Sequence, residues 1–171
     1  RYFMEKIKLL IILSFSIVSQ AQSPTITDLK NMEKKGDSLN ELKKYEEASK
    51  LYEKLVQVDP KSFNYNFKYA VSFGQHVESL PRFQQVKLVR QMIKHFEAAF
   101  DLNRKDIAIN RALLEIYLRV PRFFGGGNKK AKSVLENIYS ISETEGDKAR
   151  KFYDNFWYWW VMYILYPLEA A

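Results

Sequence analysis

The sequence contains no cysteine among its 171 residues. Disulfide bonds and thiolate metal sites are therefore excluded, and so is the acylated cysteine of a bacterial lipoprotein. Histidine is almost as scarce, since only His76 and His95 occur, and neither has a paired carboxylate at metal-ligand spacing. Both histidines are predicted to lie on helix surfaces. No cofactor, metal ion or catalytic residue is expected, and an enzyme with a scattered active site is kept as an alternative.

Glycine is also scarce, yet three of the six glycines are consecutive, in VPRFFGGGNKKAKSV at residues 120–134. A phosphate-binding loop would need G-x-x-x-x-G-K-[ST] between a strand and a helix. Here the spacing differs and Lys130 is followed by Ala131. The glycines are instead predicted to reverse the chain with positive φ, and Asn128 is predicted to cap the next helix.

No apolar run is long enough to span a membrane, but the first residues have the order of a secretory signal peptide. A charged start from Met4 to Lys8 precedes the apolar run from Leu9 to Val18, and small residues lead to Ala21. We predict a signal peptide over residues 1–21, cleavage near Ala21 and a location in the periplasm or outside the cell. A buried first helix is the alternative.

Alternation of period two is missing from residues 25–141, whereas apolar residues recur every three or four positions. The pattern predicts an all-α chain with helices at 28–40, 44–58, 63–77, 84–101, 106–119, 129–141 and 145–166. The expected organisation is a linker over 22–27, a helical repeat domain over 28–143 and an aromatic-rich helix over 144–171.

Residues 36–60, GDSLNELKKYEEASKLYEKLVQVDP, carry the most specific pattern. The stretch has small residues at Gly36 and Ala48, an aromatic residue at Tyr52, an apolar residue at Leu55 and a helix-ending proline at Pro60. This stretch resembles a tetratricopeptide repeat, a helix–turn–helix unit of about 34 residues. The resemblance implies a right-handed superhelix of about three helix pairs plus a terminal helix, with the first helix of each pair lining a concave groove.

Two looser units follow the first, and each carries extra residues between its helices. The two extra segments share a Pro-Arg-Phe motif. It occurs in Leu80-Pro81-Arg82-Phe83 and, forty residues later, in Val120-Pro121-Arg122-Phe123. This echo suggests duplication of one unit. The second loop and its neighbouring helices, residues 106–141, are also similar to exported proteins associated with tripartite (TRAP) solute transporters.

The net charge of +7 is unevenly distributed. Residues 81–132 hold twelve basic and four acidic side chains, whereas residues 22–80 hold nine of each. Within the basic segment, Lys87, Arg90 and Lys94 form a helical stripe. A solvated helix face is one interpretation of this stripe and an anionic partner is the other; nucleic acid is not expected because no groove-reading motif is present.

The repeat resemblance implies a peptide-binding groove with basic and amide side chains. The expected partner is a protein or peptide, acidic in character, and a solvated groove without a ligand is the alternative. The predicted binding residues are Lys30, Lys34, Lys68, Gln75, Asn110, Arg111 and Tyr117.

An aromatic run from Phe156 to Tyr166 ends the last predicted helix. It is interpreted as a buried closing helix, as an exposed face for a partner or membrane interface, or as an altered end of the chain; a membrane anchor is not favoured. Together these patterns predict an exported, non-catalytic scaffold that binds a protein or peptide. An accessory subunit of a solute transporter is the main alternative, and the oligomeric state is left open.

Overall fold

The computed structural model describes residues 24–165, with side chains up to residue 156. The predicted signal peptide lies outside these residues, and so do the side chains of nearly all of the aromatic run. Within the described part the chain is all-helical, as predicted. The seven α-helices there are α1 (Ile26–Glu41), α2 (Tyr45–Val58), α3 (Phe63–Ser79), α4 (Arg82–Leu102), α5 (Ile107–Arg119), α6 (Asn128–Ile141) and α7 (Glu143–Leu165).

The helix starts follow from local capping chemistry. The Thr25 hydroxyl accepts from the Asp28 amide while the Asp28 carboxylate accepts from the Thr25 amide, which closes a capping box at α1. Ser62 and Asp106 cap α3 and α5 in the same way, each by accepting from the amide three residues on. These caps satisfy amides that would otherwise lack partners, and they stop each helix from extending backwards.

The glycine loop is a turn, as predicted. After α5 a short 3-10 segment, Arg122–Phe124, leads into Gly125 at φ 105° and Gly127 at φ 107°, values that favour glycine. A Cβ on Gly126 would lie 2.0 Å from the Val120 carbonyl oxygen, so a side chain is also excluded there. The prediction that Asn128 caps α6 is wrong. Gly127 is the N-cap residue, and Asn128 accepts a hydrogen bond from the Tyr153 hydroxyl instead.

Each helix packs on the next, and α5 also contacts α7. The interior has two apolar clusters: a smaller one under α1–α3 around Tyr52 and Leu55, and a larger one spanning α3 to α7. Phe73 packs against both clusters and joins them. The described helices therefore form a continuous layered stack with its apolar side chains inside.

Close approach of α1 and α2 depends on Gly36. A Cβ at this position would stand 2.7 Å from Cζ of Tyr52, whose side chain is fully buried. Ala48 and Leu55 are fully buried beside it. The small and aromatic positions identified in the sequence thus meet at one helix–helix contact, where their sizes are complementary.

Candidate binding site

A polar cluster connects α1 and α3 and contains one of the predicted binding residues. The Lys68 ammonium lies 2.7 Å from a carboxylate oxygen of Glu33 and 2.7 Å from one of Asp37. The Tyr52 hydroxyl donates to the same Asp37 oxygen at 2.6 Å. We call Tyr52, Asp37 and Lys68 the first tyrosine triad. Lys68 is only 25% exposed and already has two carboxylate partners, so it is poorly placed to bind a peptide.

The pKa values of this triad follow from its contacts. Burial by itself would raise the pKa of Asp37, but hydrogen bonds from Lys68 and Tyr52 outweigh it and hold the pKa below its ordinary value. Burial would lower the pKa of Lys68, and its two carboxylate partners raise it instead. For Tyr52 both burial and Asp37 act in one direction and raise the pKa of the phenol. The triad therefore stays fully ionised at neutral pH except for its tyrosine.

A second cluster of charges lies between α5 and α7. The Arg111 guanidinium forms an ion pair with Glu145, and the Lys148 ammonium lies 2.9 Å from the other carboxylate oxygen of Glu145. Hydrogen bonding from Lys148, assisted by the charge of Arg111, lowers the pKa of the Glu145 carboxyl despite partial burial. Since two cations share one carboxylate, one positive charge is left in excess. Arg111 and Lys148 are 48% and 60% exposed, so a ligand can reach both.

These charges border a cleft of about 260 Å³, which we call the α5/α7 cleft. Buried Leu114 and Ala149 form its apolar floor, and the 39% exposed Phe152 forms a wall. Glu115, at the edge, pairs with Arg119 at 2.7 Å and is thereby partly neutralised. The cleft combines two exposed cations with a small apolar surface. It can hold a carboxylate beside an apolar side chain.

Two predicted binding residues have structural roles instead. Asn110 is fully buried, and its side-chain amide donates to the carbonyls of Arg104 and Asp106. Its amide oxygen accepts from Asn137. Because every polar side-chain atom of Asn110 is used inside the protein, Asn110 does not face a groove as predicted.

Tyr117 is 5% exposed, and its hydroxyl donates to Glu97 at 2.7 Å. Lys130 lies 2.8 Å from the same Glu97 oxygen, and its ammonium is 5.0 Å from the centre of the Tyr117 ring. We call these three residues the second tyrosine triad. Burial and then Glu97 raise the pKa of the Tyr117 phenol. Tyr117 does not face a groove as predicted, because its ring is in the core.

The remaining predicted residues differ in where they lie. Lys30, Lys34 and Gln75 are exposed on α1 and α3, and their side chains form no hydrogen bond or ion pair within the described residues. Only Arg111 lies beside the α5/α7 cleft. The structure therefore spreads the seven predicted residues over an exposed set, a paired set and a buried set.

The predicted binding residues do not include Glu145, Lys148 and Phe152, which form the α7 side of the cleft. In the sequence, the main distinguishing feature of this helix is its aromatic run. A usable signal did exist: Glu145 and Lys148 are three residues apart and thus share one helix face.

His95 corrects the expectation for the histidines. Its ring lies 4.4 Å from that of Tyr69 and 5.0 Å from that of Phe73, and its Nε2 is buried without a hydrogen-bond partner. Burial lowers the pKa of His95, although nearby Glu53 opposes this. His95 is therefore partly buried and aromatic-packed, and His76 too is half-buried. In the part of the chain that the structure describes, no group of histidine, aspartate and glutamate side chains is arranged to hold a metal ion.

Asn66 and Asn110 reveal an internal correspondence. The Asn66 amide donates to the carbonyls of Pro60 and Ser62, as Asn110 does to Arg104 and Asp106. In both helices the asparagine stands four residues after the capping residue. The starts of α3 and α5 are therefore built in the same way, 44 positions apart.

None of the helices in residues 24–165 has the length and apolar character needed to span a membrane. Comparison of the chain with protein-family models, with curated proteins and with solved structures finds no significant match.

Proposed function

We propose that the chain is a non-catalytic scaffold that binds an acidic protein segment or peptide. The peptide lies along the first helix of each helix pair, α1, α3 and α5, and the α5/α7 cleft is the main contact. The observation that carries this proposal is the pair of exposed cations, Arg111 and Lys148, beside the exposed ring of Phe152. A ligand carboxylate would share the two cations with Glu145, and an apolar neighbour would pack on Phe152.

A tetratricopeptide-like repeat architecture is part of the proposal. It is supported by the Gly36–Tyr52 contact, by buried Ala48 and Leu55, and by the equivalent asparagines that start α3 and α5. Repeat proteins of this kind place their first helices along one concave surface, to which extended peptides bind. Lys30, Lys34 and Gln75 then extend the binding surface along α1 and α3.

Export belongs to the same proposal and rests on the signal-peptide pattern of residues 1–21. Mass spectrometry of the amino terminus of the protein recovered from cells tests it. A terminus at Gln22 supports export, whereas an intact leader on protein from the cytoplasm contradicts it.

Capture experiments with the mature chain as bait in an envelope extract would identify the partner. Recovery of a solute-transporter subunit would favour the alternative of a transporter accessory protein. Acidic segments of the captured protein can then be titrated as synthetic peptides by calorimetry.

Arg111→Ala should weaken peptide binding by about 1–3 kcal/mol, because a charge-assisted hydrogen bond is lost. The matched control is Lys94→Ala, which removes an exposed cation on α4 and should leave the affinity nearly unchanged. Equal losses in the two variants, or a larger loss at Lys94, would place the binding surface elsewhere and refute the assignment to the cleft.

A further inference from the structure

The two Pro-Arg-Phe motifs are far apart in sequence but lie next to each other in the structure. The Arg90 guanidinium donates to the carbonyl oxygen of Phe123, so the second motif is hydrogen-bonded to α4, the helix that begins in the first motif. Between the two motifs is a cleft of about 470 Å³, which Arg82 of the first and Pro121 of the second help to line. The two motifs thus form one surface.

The tips of this surface are apolar and exposed. Phe83 and Phe123 are each 66% exposed, and Val86, one turn after Phe83, is 50% exposed. Such large side chains are usually covered, so each of the two Pro-Arg-Phe segments leaves one large apolar side chain exposed.

The sequence around both tips is rich in basic residues. Between Glu78 and Glu97 the chain has four cations and no acidic residue, and between Glu115 and Glu136 it has five cations and none. Two of these bounding carboxylates are occupied, Glu97 by Lys130 and Glu115 by Arg119. Lys87 and Lys94 follow Phe83 at helical spacing on the same face of α4, and both are exposed.

We propose that this surface, the PRF patch, binds the anionic surface of a lipid bilayer. It comprises the tips Phe83 and Phe123 and the cations Arg82, Lys87, Lys94 and Arg122. The phenylalanines enter the interface between headgroups and acyl chains, and the cations remain at the level of the lipid phosphates. The proposal is independent of peptide binding, since no residue of the patch lines the α5/α7 cleft.

A lipid surface fits the patch better than an acidic protein does. Protein interfaces are depleted in lysine at their centres, whereas membrane-binding surfaces combine lysine and arginine with a few protruding apolar side chains. The charge of a bilayer is also diffuse. It therefore suits separate point charges such as Lys87 and Lys94, which have no hydrogen-bond partner within the described residues.

Co-sedimentation of the full chain with vesicles tests the proposal. The vesicles contain equimolar phosphatidylcholine and phosphatidylglycerol, and vesicles of phosphatidylcholine alone provide the uncharged reference. The charge variant Lys87→Ala/Lys94→Ala should bind the anionic vesicles about thirty-fold more weakly, since each surface cation contributes roughly a five-fold factor. The apolar variant Phe83→Ala/Phe123→Ala should bind at least roughly ten-fold more weakly.

The matched control is Lys35→Ala/Lys54→Ala, which removes the same charge from exposed positions on α1 and α2. Any contribution from the first residues or the aromatic run is common to all four proteins and cancels in the comparison. The control should bind within a factor of about two of wild type. Loss of helical circular dichroism in a variant would disqualify that variant, and the other one then decides.

Equal vesicle binding by the charge variant and its control would overturn the proposal. So would binding of a polyglutamate peptide that depends on Lys87 and Lys94 without any such dependence for vesicles, because the patch would then recognise an acidic polypeptide. Arg111→Ala should leave vesicle binding unchanged. Failure of the PRF patch and failure of the cleft are therefore separately visible.

Discussion

The two tyrosine triads use the same three groups in two regions of the molecule. In each, a buried tyrosine hydroxyl and a lysine ammonium share one carboxylate oxygen. The lysine Nζ also lies over the tyrosine ring, 5.9 Å from the ring centre in the first triad and 5.0 Å from it in the second. The first triad joins α1, α2 and α3, and the second joins α4, α5 and α6.

The triads differ in the burial and partners of their lysines. Lys68 is 25% exposed and pairs with a second carboxylate, Glu33, which also accepts from Asn64. Lys130 is 47% exposed, and Glu97 is its one ion-pair partner among the described residues. The same chemistry should therefore stabilise the fold strongly around Tyr52 and weakly around Tyr117, because solvent screens an exposed ion pair. Four predictions test what the two triads share and where they differ.

The largest effect should come from removing a ring. Tyr52→Ala and Tyr117→Ala should each lower the free energy of unfolding by about 3–5 kcal/mol, since both side chains are nearly or fully buried and each deletion leaves a cavity. Urea denaturation measures the loss. A loss below about 1 kcal/mol in either variant would contradict the burial described for that ring.

Removing only the hydroxyl should cost less. Tyr52→Phe and Tyr117→Phe should each cost about 1 kcal/mol, because a partly buried carboxylate loses one donor while its lysine remains. Comparison of each phenylalanine variant with the corresponding alanine variant separates the hydrogen bond from the packing. Phenylalanine variants as unstable as the alanine variants would show that the hydroxyl, and not the ring, dominates.

The lysines should distinguish the two triads. Lys68→Met should cost about 1–2 kcal/mol, because Glu33 and Asp37 are left facing each other without a shared cation. Lys130→Met should cost less than about 0.5 kcal/mol, as expected for an exposed pair. Equal losses of unfolding free energy would mean that exposure does not govern the strength of these ion pairs. They would contradict the statement that the first triad stabilises the fold more than the second.

The smallest effect is a pH dependence of the first triad. The lowered pKa of Asp37 adds stability that is complete above the ordinary value of 3.8 and is lost as the pH falls through the lower pKa of the folded state. Lys68→Met removes the part of this contribution that comes from Lys68, so the difference in unfolding free energy between wild type and variant should narrow as the pH falls from about 5 to about 2. Denaturation at several pH values measures the gap, with Lys35→Met as the control. A constant gap would exclude Asp37 as the titrating partner.

Local sequence accounted for most of the fold. Apolar spacing predicted all seven helices, with starts and ends within about two residues of those observed. The capping residues Thr25, Ser62 and Asp106 fix three of those starts through contacts only three residues long. These features could be predicted because the interacting groups are neighbours in the chain.

The binding residues were predicted less well. Arg111 lies at the cleft, but Asn110, next to it in sequence, points into the protein. Both are polar residues on an amphipathic helix, and composition alone does not tell a surface amide from one that holds a loop. The recurrence of asparagine four residues after a helix cap was the signal that could have separated them.

The sequence by itself determined where helices begin and end, where glycine must turn the chain, and how unevenly the charge is distributed. Only the tertiary structure decided which distant residues meet. It pairs Lys68 with Glu33 and Arg111 with Glu145, and it brings the two Pro-Arg-Phe motifs together. These partners are about 30 to 40 residues apart, and their meeting depends on how helices are rotated and offset against each other. That offset is fixed by close contacts such as Gly36 against Tyr52: both residues stand out in the sequence, but the fit of whole helix surfaces decides that they meet.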